Sequence, residues 1–152
     1  MPIYRKTPDS AIDTSIDRVF ERHNRALIQL LTDVGERCIV EARGGNGKQY
    51  IDQTGNLRSS VGYVVVKDGN IVSQSDFQQV KGGNEGASEG RVFAGKLKSE
   101  TSTGIALIVV AGMNYATYVS AKGYNVLDSS ELLAENLVSK MLKAVGFKVS
   151  KK

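Results

Sequence analysis

Apolar side chains recur every three or four residues in the first third of the chain. Ile16, Val19 and Phe20, Leu27, Leu30 and Leu31, Val34 and Cys38 fall on one stripe, with His23 on or beside it. That spacing is the signature of an amphipathic helix. Asp13 or Thr14 can cap its start, and Gly44 with Gly45 ends the pattern. The helix so predicted has about 28 residues and spans about 42 Å. Pro2 and Pro8 exclude regular helix before it, so residues 1–12 read as a flexible arm.

The period then changes to two. Val61, Tyr63 and Val65 alternate with Gly62, Val64 and Val66, which predicts a strand over 60–67. Asp68-Gly69 is a two-residue hairpin signal that returns the chain through 71–77. Ile105, Leu107 and Val109 alternate with Ala106, Ile108 and Val110 in a third strand, 105–111. Between the strands, 81–104 holds Gly82, Gly83, Gly86, Gly90, Gly95 and Gly104 and reads as a long, mobile Gly-rich loop. Val92, Phe93 and Leu97 leave room for one or two helical turns near its end. A last helix opens at Asp128, with Glu131 at capping-box spacing. It carries Leu133, Leu137 and Met141 in one apolar column and Val138, Leu142 and Val145 in another. Gly146 stops it, with Phe147 placed to fold back on the last turn.

These elements predict an α+β fold. A long N-terminal helix and a C-terminal helix pack on a small antiparallel sheet of three to four strands with a long Gly-rich loop. A single domain would occupy 13–147, followed by a basic tail, 148–152. Both faces of the sheet centre are apolar, whereas a sheet with one wet face alternates. Two arrangements satisfy this. Either the two helices cover opposite faces, or both lie on one side and another subunit buries the second. The second arrangement would make a sheet face, or the far end of the long helix, a subunit contact.

Composition narrows the function. The 152 residues suffice for one domain with a real core. No run approaches the roughly 18 apolar residues of a membrane span, and the first residues lack the apolar core of a secretory signal. A cytoplasmic location without membrane contact is the expectation. Cys38 is the only cysteine and His23 the only histidine, which rules out the familiar zinc sites. Gly44-Gly45-Asn46-Gly47-Lys48 resembles a phosphate loop, but Ala42 stands where the first glycine belongs and Gln49 where Ser or Thr belongs. Ser59, Ser60, Ser129 and Ser130 sit where turns and caps need them. No nucleophile–base pair is visible, so no catalytic, cofactor-binding or metal residue is assigned and an enzyme is not expected. The excess behind the net charge of +4 lies mostly in residues 105–152, which hold 6 basic and 3 acidic side chains. Arg18, Arg22 and Arg25 with the C-terminal lysines suggest, as the alternative, a small basic nucleic-acid-binding module. Asp17, Glu21, Asp33 and Glu36 interrupt that face, and no aromatic residues interleave for base stacking.

Two blocks carry a family resemblance: Thr54-Gly55-Asn56-Leu57-Arg58-Ser59-Ser60 and Tyr115-Ala116-Thr117-Tyr118-Val119. In this order, after a long helix and before a shorter one, they resemble the tail-completion (head–tail joining) proteins of tailed bacteriophages over most of 12–146. After the tyrosines many members continue with an acidic residue, Gly-Thr and a Pro-rich stretch. Here the chain reads Ser120, then Lys122-Gly123-Tyr124-Asn125-Val126-Leu127, as in a divergent branch. The resemblance implies a virion structural protein of the neck, assembled from the host cytoplasm, that completes or caps the tail as a homo-oligomeric ring of six or twelve copies. Its partners would be neighbouring neck and tail-tube proteins, with non-specific contact to DNA in the lumen. The loop 81–104 would order on assembly. The residues expected at subunit contacts are Leu57, Arg58, Arg91, Phe93, Met113, Tyr118 and Tyr124. Tyr115 fits an aromatic corner of the monomer core better.

Overall fold

The computed structural model describes residues 9–44, 49–144, 146, 148 and 150. Helix α1 spans Asp9–Gly44 and α2 Asn56–Ser59; strands β1 and β2 are Val61–Lys67 and Asn70–Gln74. Helix α3, Asn84–Leu97, runs into a 3-10 turn at Lys98–Glu100 and precedes strand β3, Ile105–Ala111. Helices α4, Ala116–Ala121, and α5, Asp128–Ala144, follow. The fold is α+β, as the hydrophobic periods predict.

The sheet order is β2-β1-β3, with both pairings antiparallel. The central strand is buried almost throughout: Val61, Val64, Val65 and Val66 have no exposed surface and Tyr63 has 1%. Each such side chain contributes about 1.5–3 kcal/mol of burial. The hairpin turns on Asp68 (φ 50) and Gly69 (φ 83), the two positive-φ residues that a tight β-turn of this kind needs. β2 stops earlier than the expected 77. Ser75 N–H still donates to the Tyr63 carbonyl at 3.0 Å, but Tyr63 N–H goes to Ser75 Oγ at 3.1 Å. Phe77 (φ 49) then turns its ring under Gly62, where a Cβ would stand 2.2 Å from the ring.

One sheet face packs against α1. Ile39 and Ala42 meet Val61, Tyr63 and Val65 there, with Ile28, Leu31 and Leu107 alongside. Helix α5 packs beside α1 on this same side, joined by Ser130 Oγ donating to the Cys38 carbonyl at 2.8 Å. Its later residues Val138 and Leu142 line a groove of about 500 Å³ with Leu27, Leu31 and the β3 residues Ile105 and Leu107. The two helices therefore run antiparallel.

The opposite face is buried by α3. Ala87 and Ala94 pack on Val64, Val66, Phe77 and Val110, with Leu97, Ile71 and Ile108 at the margin. Neither arrangement drawn from the sequence is the one found, because the segment read as a Gly-rich loop supplies the second cover. Its glycines serve close approach. A Cβ on Gly86 would lie 1.9 Å from the Asn56 carbonyl oxygen, and one on Gly90 would lie 2.6 Å from that of Ser60.

Two boundaries also differ, while α5 opens at Asp128 as expected. α1 starts at Asp9, so 9–12 are helical and the helix, at 36 residues, is about 54 Å long. The turn holding Tyr115 and Tyr118 continues as the short helix α4. At α5 the cap is Asn125, whose Oδ1 accepts the Ser129 N–H at 3.1 Å, while Glu131 N–H donates to the Leu127 carbonyl. Gly146 (φ 91) adopts the conformation of a helix stop. The fold-back of Phe147 and residues 1–8 of the expected arm lie outside the described residues.

Candidate subunit-contact surfaces

The two motif blocks meet in space. Gly55 (φ 77) turns the chain into α2, and Asp52 Oδ2 accepts the Arg58 N–H at 2.9 Å. Asp52 is 5% exposed, and its backbone carbonyl accepts the Lys81 ammonium at 3.1 Å. Leu57 then joins Tyr50, Ala116 and Val126 in a small core, with Met113, Val119 and Tyr124 against it. Ser60 ties the first block to the residues leading into the second: its Oγ donates to the Leu57 carbonyl at 2.7 Å and accepts the Met113 N–H at 3.3 Å. Ser59 Oγ accepts the Val80 N–H at 2.7 Å, which anchors the approach to α3.

Of the residues expected at subunit contacts, three pack inward. Leu57 is 2% exposed and has no surface to offer a neighbour. It anchors its turn in this core, and its interface assignment is corrected. Met113 and Tyr124 are half-buried against the same core. Arg58 lies over the Tyr50 ring, 5.3 Å from its centroid, so its cation is engaged within its own chain. Tyr118 is 64% exposed, with the Lys122 ammonium 5.2 Å from its ring centre. Arg91 is exposed and donates to the Asp76 carbonyl at 2.8 Å, and Phe93 is 40% exposed. The exposed members thus sit on two different helices, α4 and α3. Tyr115 is 37% exposed, more open than a core corner requires.

Two further surfaces escape sequence reasoning. Ile16, Val19 and Phe20 belong to the stripe expected to cover the sheet, yet all three are exposed; the sheet-facing cluster takes α1 side chains from Ile28 onward. Strand β3 pairs with β1 on one side and with no other strand among the described residues, although its whole sequence is apolar. Periodicity marks both stretches as apolar, but it does not say where the covering element ends.

The chemistry of the buried groups is quiet. Burial pushes the Tyr50 and Tyr63 phenols up to about 12, and at Tyr63 a hydrogen bond to Glu36 at 2.8 Å adds to it. Burial, then Glu41, raises the Cys38 thiol. These shifts hold the groups protonated, and so poor nucleophiles, at neutral pH. Among the described residues no three His, Cys, Asp or Glu side chains gather as a metal ion would need. Among them, too, no helix is long and apolar enough to cross a membrane. Comparison with known proteins finds no matching family model, curated protein or solved structure.

Proposed function

We propose that this chain is a virion structural protein of the head–tail junction, completing or capping the tail as a ring of six or twelve copies. The observation that carries the reading is the joining of the two motif blocks. Thr54 to Ser60 and Tyr115 to Val119 share one small core, with Leu57 beside Ala116 and Ser60 bonded to Met113. A pattern of order and spacing that resembles tail-completion proteins therefore has a physical unit behind it. Exposed apolar and aromatic groups at Phe20, Phe93 and Tyr118 supply surfaces of the kind subunits bury. Its partners would be further copies of itself and the neighbouring neck and tail-tube proteins, and its final location the virion.

Electron microscopy of particles from the parent element with this gene deleted tests the proposal. Filled heads beside separate, unjoined tails are the expected result. Intact, infectious particles would overturn it and bring forward the nucleic-acid-binding alternative, whose mark is a steep fall of binding with salt.

A further inference from the structure

The N-terminal half of α1 is a stretch of helix without a body beneath it. Residues 9–23 are exposed throughout except for Ile12. Ile16, Val19 and Phe20, at 47%, 58% and 63% exposure, nonetheless keep the helical spacing of a buried stripe. A helical segment of this length is marginal in water by itself. An apolar stripe along it is what a packed helix carries.

The charges around the stripe say what packs there. At about 100° per residue, Asp13 and Asp17 flank one side of Ile12, Ile16, Val19 and Phe20, and Glu21 lies towards the opposite face. Arg22 flanks the other side, with Arg18 behind it and Arg25 towards the opposite face. Two such helices laid stripe to stripe in the same direction bring the acidic side of each against the basic side of the other. Turned end for end, they bring acid against acid and base against base, which is costly. A twofold axis running along the seam keeps the two equivalent helices parallel and level.

We infer that the 9–25 segment of α1 is a self-association element whose partner is the same segment of a second copy, parallel and in register. Ile16, Val19 and Phe20 form the seam, with Asp13 and Asp17 along one margin and Arg22 along the other. The inference rests on the ring reading in taking the partner to be another copy; the charge pattern adds the direction and the register.

The test uses the full chain in two variants, Asp13→Lys/Asp17→Lys and Arg18→Glu/Arg22→Glu. All four positions are exposed, and a melting curve for each confirms that it folds. Sedimentation at low salt should show each variant alone associating about tenfold more weakly than wild type, or worse, because like charges now face each other. An equimolar mixture should recover association. Unchanged association of either variant, or a mixture no stronger than its parts, overturns the inference. So does a wild-type chain that stays monomeric at high concentration while Phe20→Ser lowers its melting temperature. That result would mean that the stripe packs within its own chain. Rescue by mixing, with intact particles after gene deletion, would sink the junction reading and leave this pairing standing. Unjoined heads and tails, with no effect of the charge variants, would do the reverse.

Discussion

At the residue scale, two tyrosines show how one substitution can act in opposite directions. Tyr63 is 1% exposed and its hydroxyl donates to Glu36 at 2.8 Å, while the Tyr50 hydroxyl is buried with no partner. Tyr63→Phe removes a made hydrogen bond to a carboxylate and should cost about 1.5–3 kcal/mol. Tyr50→Phe removes a desolvated, unpaired group and should be neutral or stabilising by up to about 1 kcal/mol. Urea unfolding of the two variants checks this, and equal losses would contradict it. The same groups set an alkaline limit. Their folded pKa, about 12, stands above the ordinary value of about 10. The folded state therefore holds its protons longer than the unfolded chain does. The contribution is fully present below about pH 10 and is lost as pH rises towards and through about 12. The double Phe variant should show a flatter stability curve across that window, measured by denaturant titration at each pH.

At the element scale, α3 is where sequence and structure part. Strand periods, the Asp68-Gly69 hairpin and the apolar columns of α5 were legible because each follows from local alternation or turn chemistry. The six glycines between 81 and 104 read as loop because glycine lowers helix propensity by about 1 kcal/mol each. What local rules do not contain is the partner surface. Gly86 and Gly90 let the helix axis come against Asn56 and Ser60, so the residue that weakens the helix in isolation permits its docking. Two substitutions in α3 separate these roles. Gly86→Ala would place a Cβ 1.9 Å from a backbone oxygen that cannot swing aside. It should cost about 1–3 kcal/mol or more. Gly95 lies in the same helix with nothing within 4 Å of its Cβ position. Gly95→Ala should therefore stabilise by about 0.5–1 kcal/mol through helix propensity and unfolded-state entropy. Thermal unfolding of both gives the answer; two losses of similar size would mean that docking is not what these glycines serve.

At the scale of the whole molecule, α3 decides which surfaces remain for assembly. With α1 and α5 on one sheet face and α3 on the other, β1 needs no second copy to be buried. The folded body is complete within one chain, and association falls to what projects from it. The candidate site was legible in part for the same reason. Tyr118 joins an apolar ring to a polar tip and could be read as exposed. Leu57 could not be told from a contact residue, because an apolar anchor and an apolar interface group look alike until the core around Tyr50 and Val126 is seen. The exposed stripe at Ile16, Val19 and Phe20 was hidden by its continuity with Leu31 and Val34, which do pack inward. Proteolysis distinguishes this molecule from the loop-bearing one the glycines suggest. Arg91, Lys96 and Lys98 offer trypsin its sites within α3 and the turn after it, while Arg18, Arg22 and Arg25 offer them on the unsupported half of α1. Opening α3 strips Ala87 and Ala94 from the sheet, so cleavage there should need the free energy of global unfolding. The N-terminal half of α1 opens locally at far smaller cost. Limited trypsin treatment of the free protein should therefore cut first at 18–25 and leave 84–98 intact, read by mass spectrometry of the early fragments. Early cleavage at Arg91 or Lys96 would mean that α3 detaches readily, and the second sheet face would again require a neighbouring subunit.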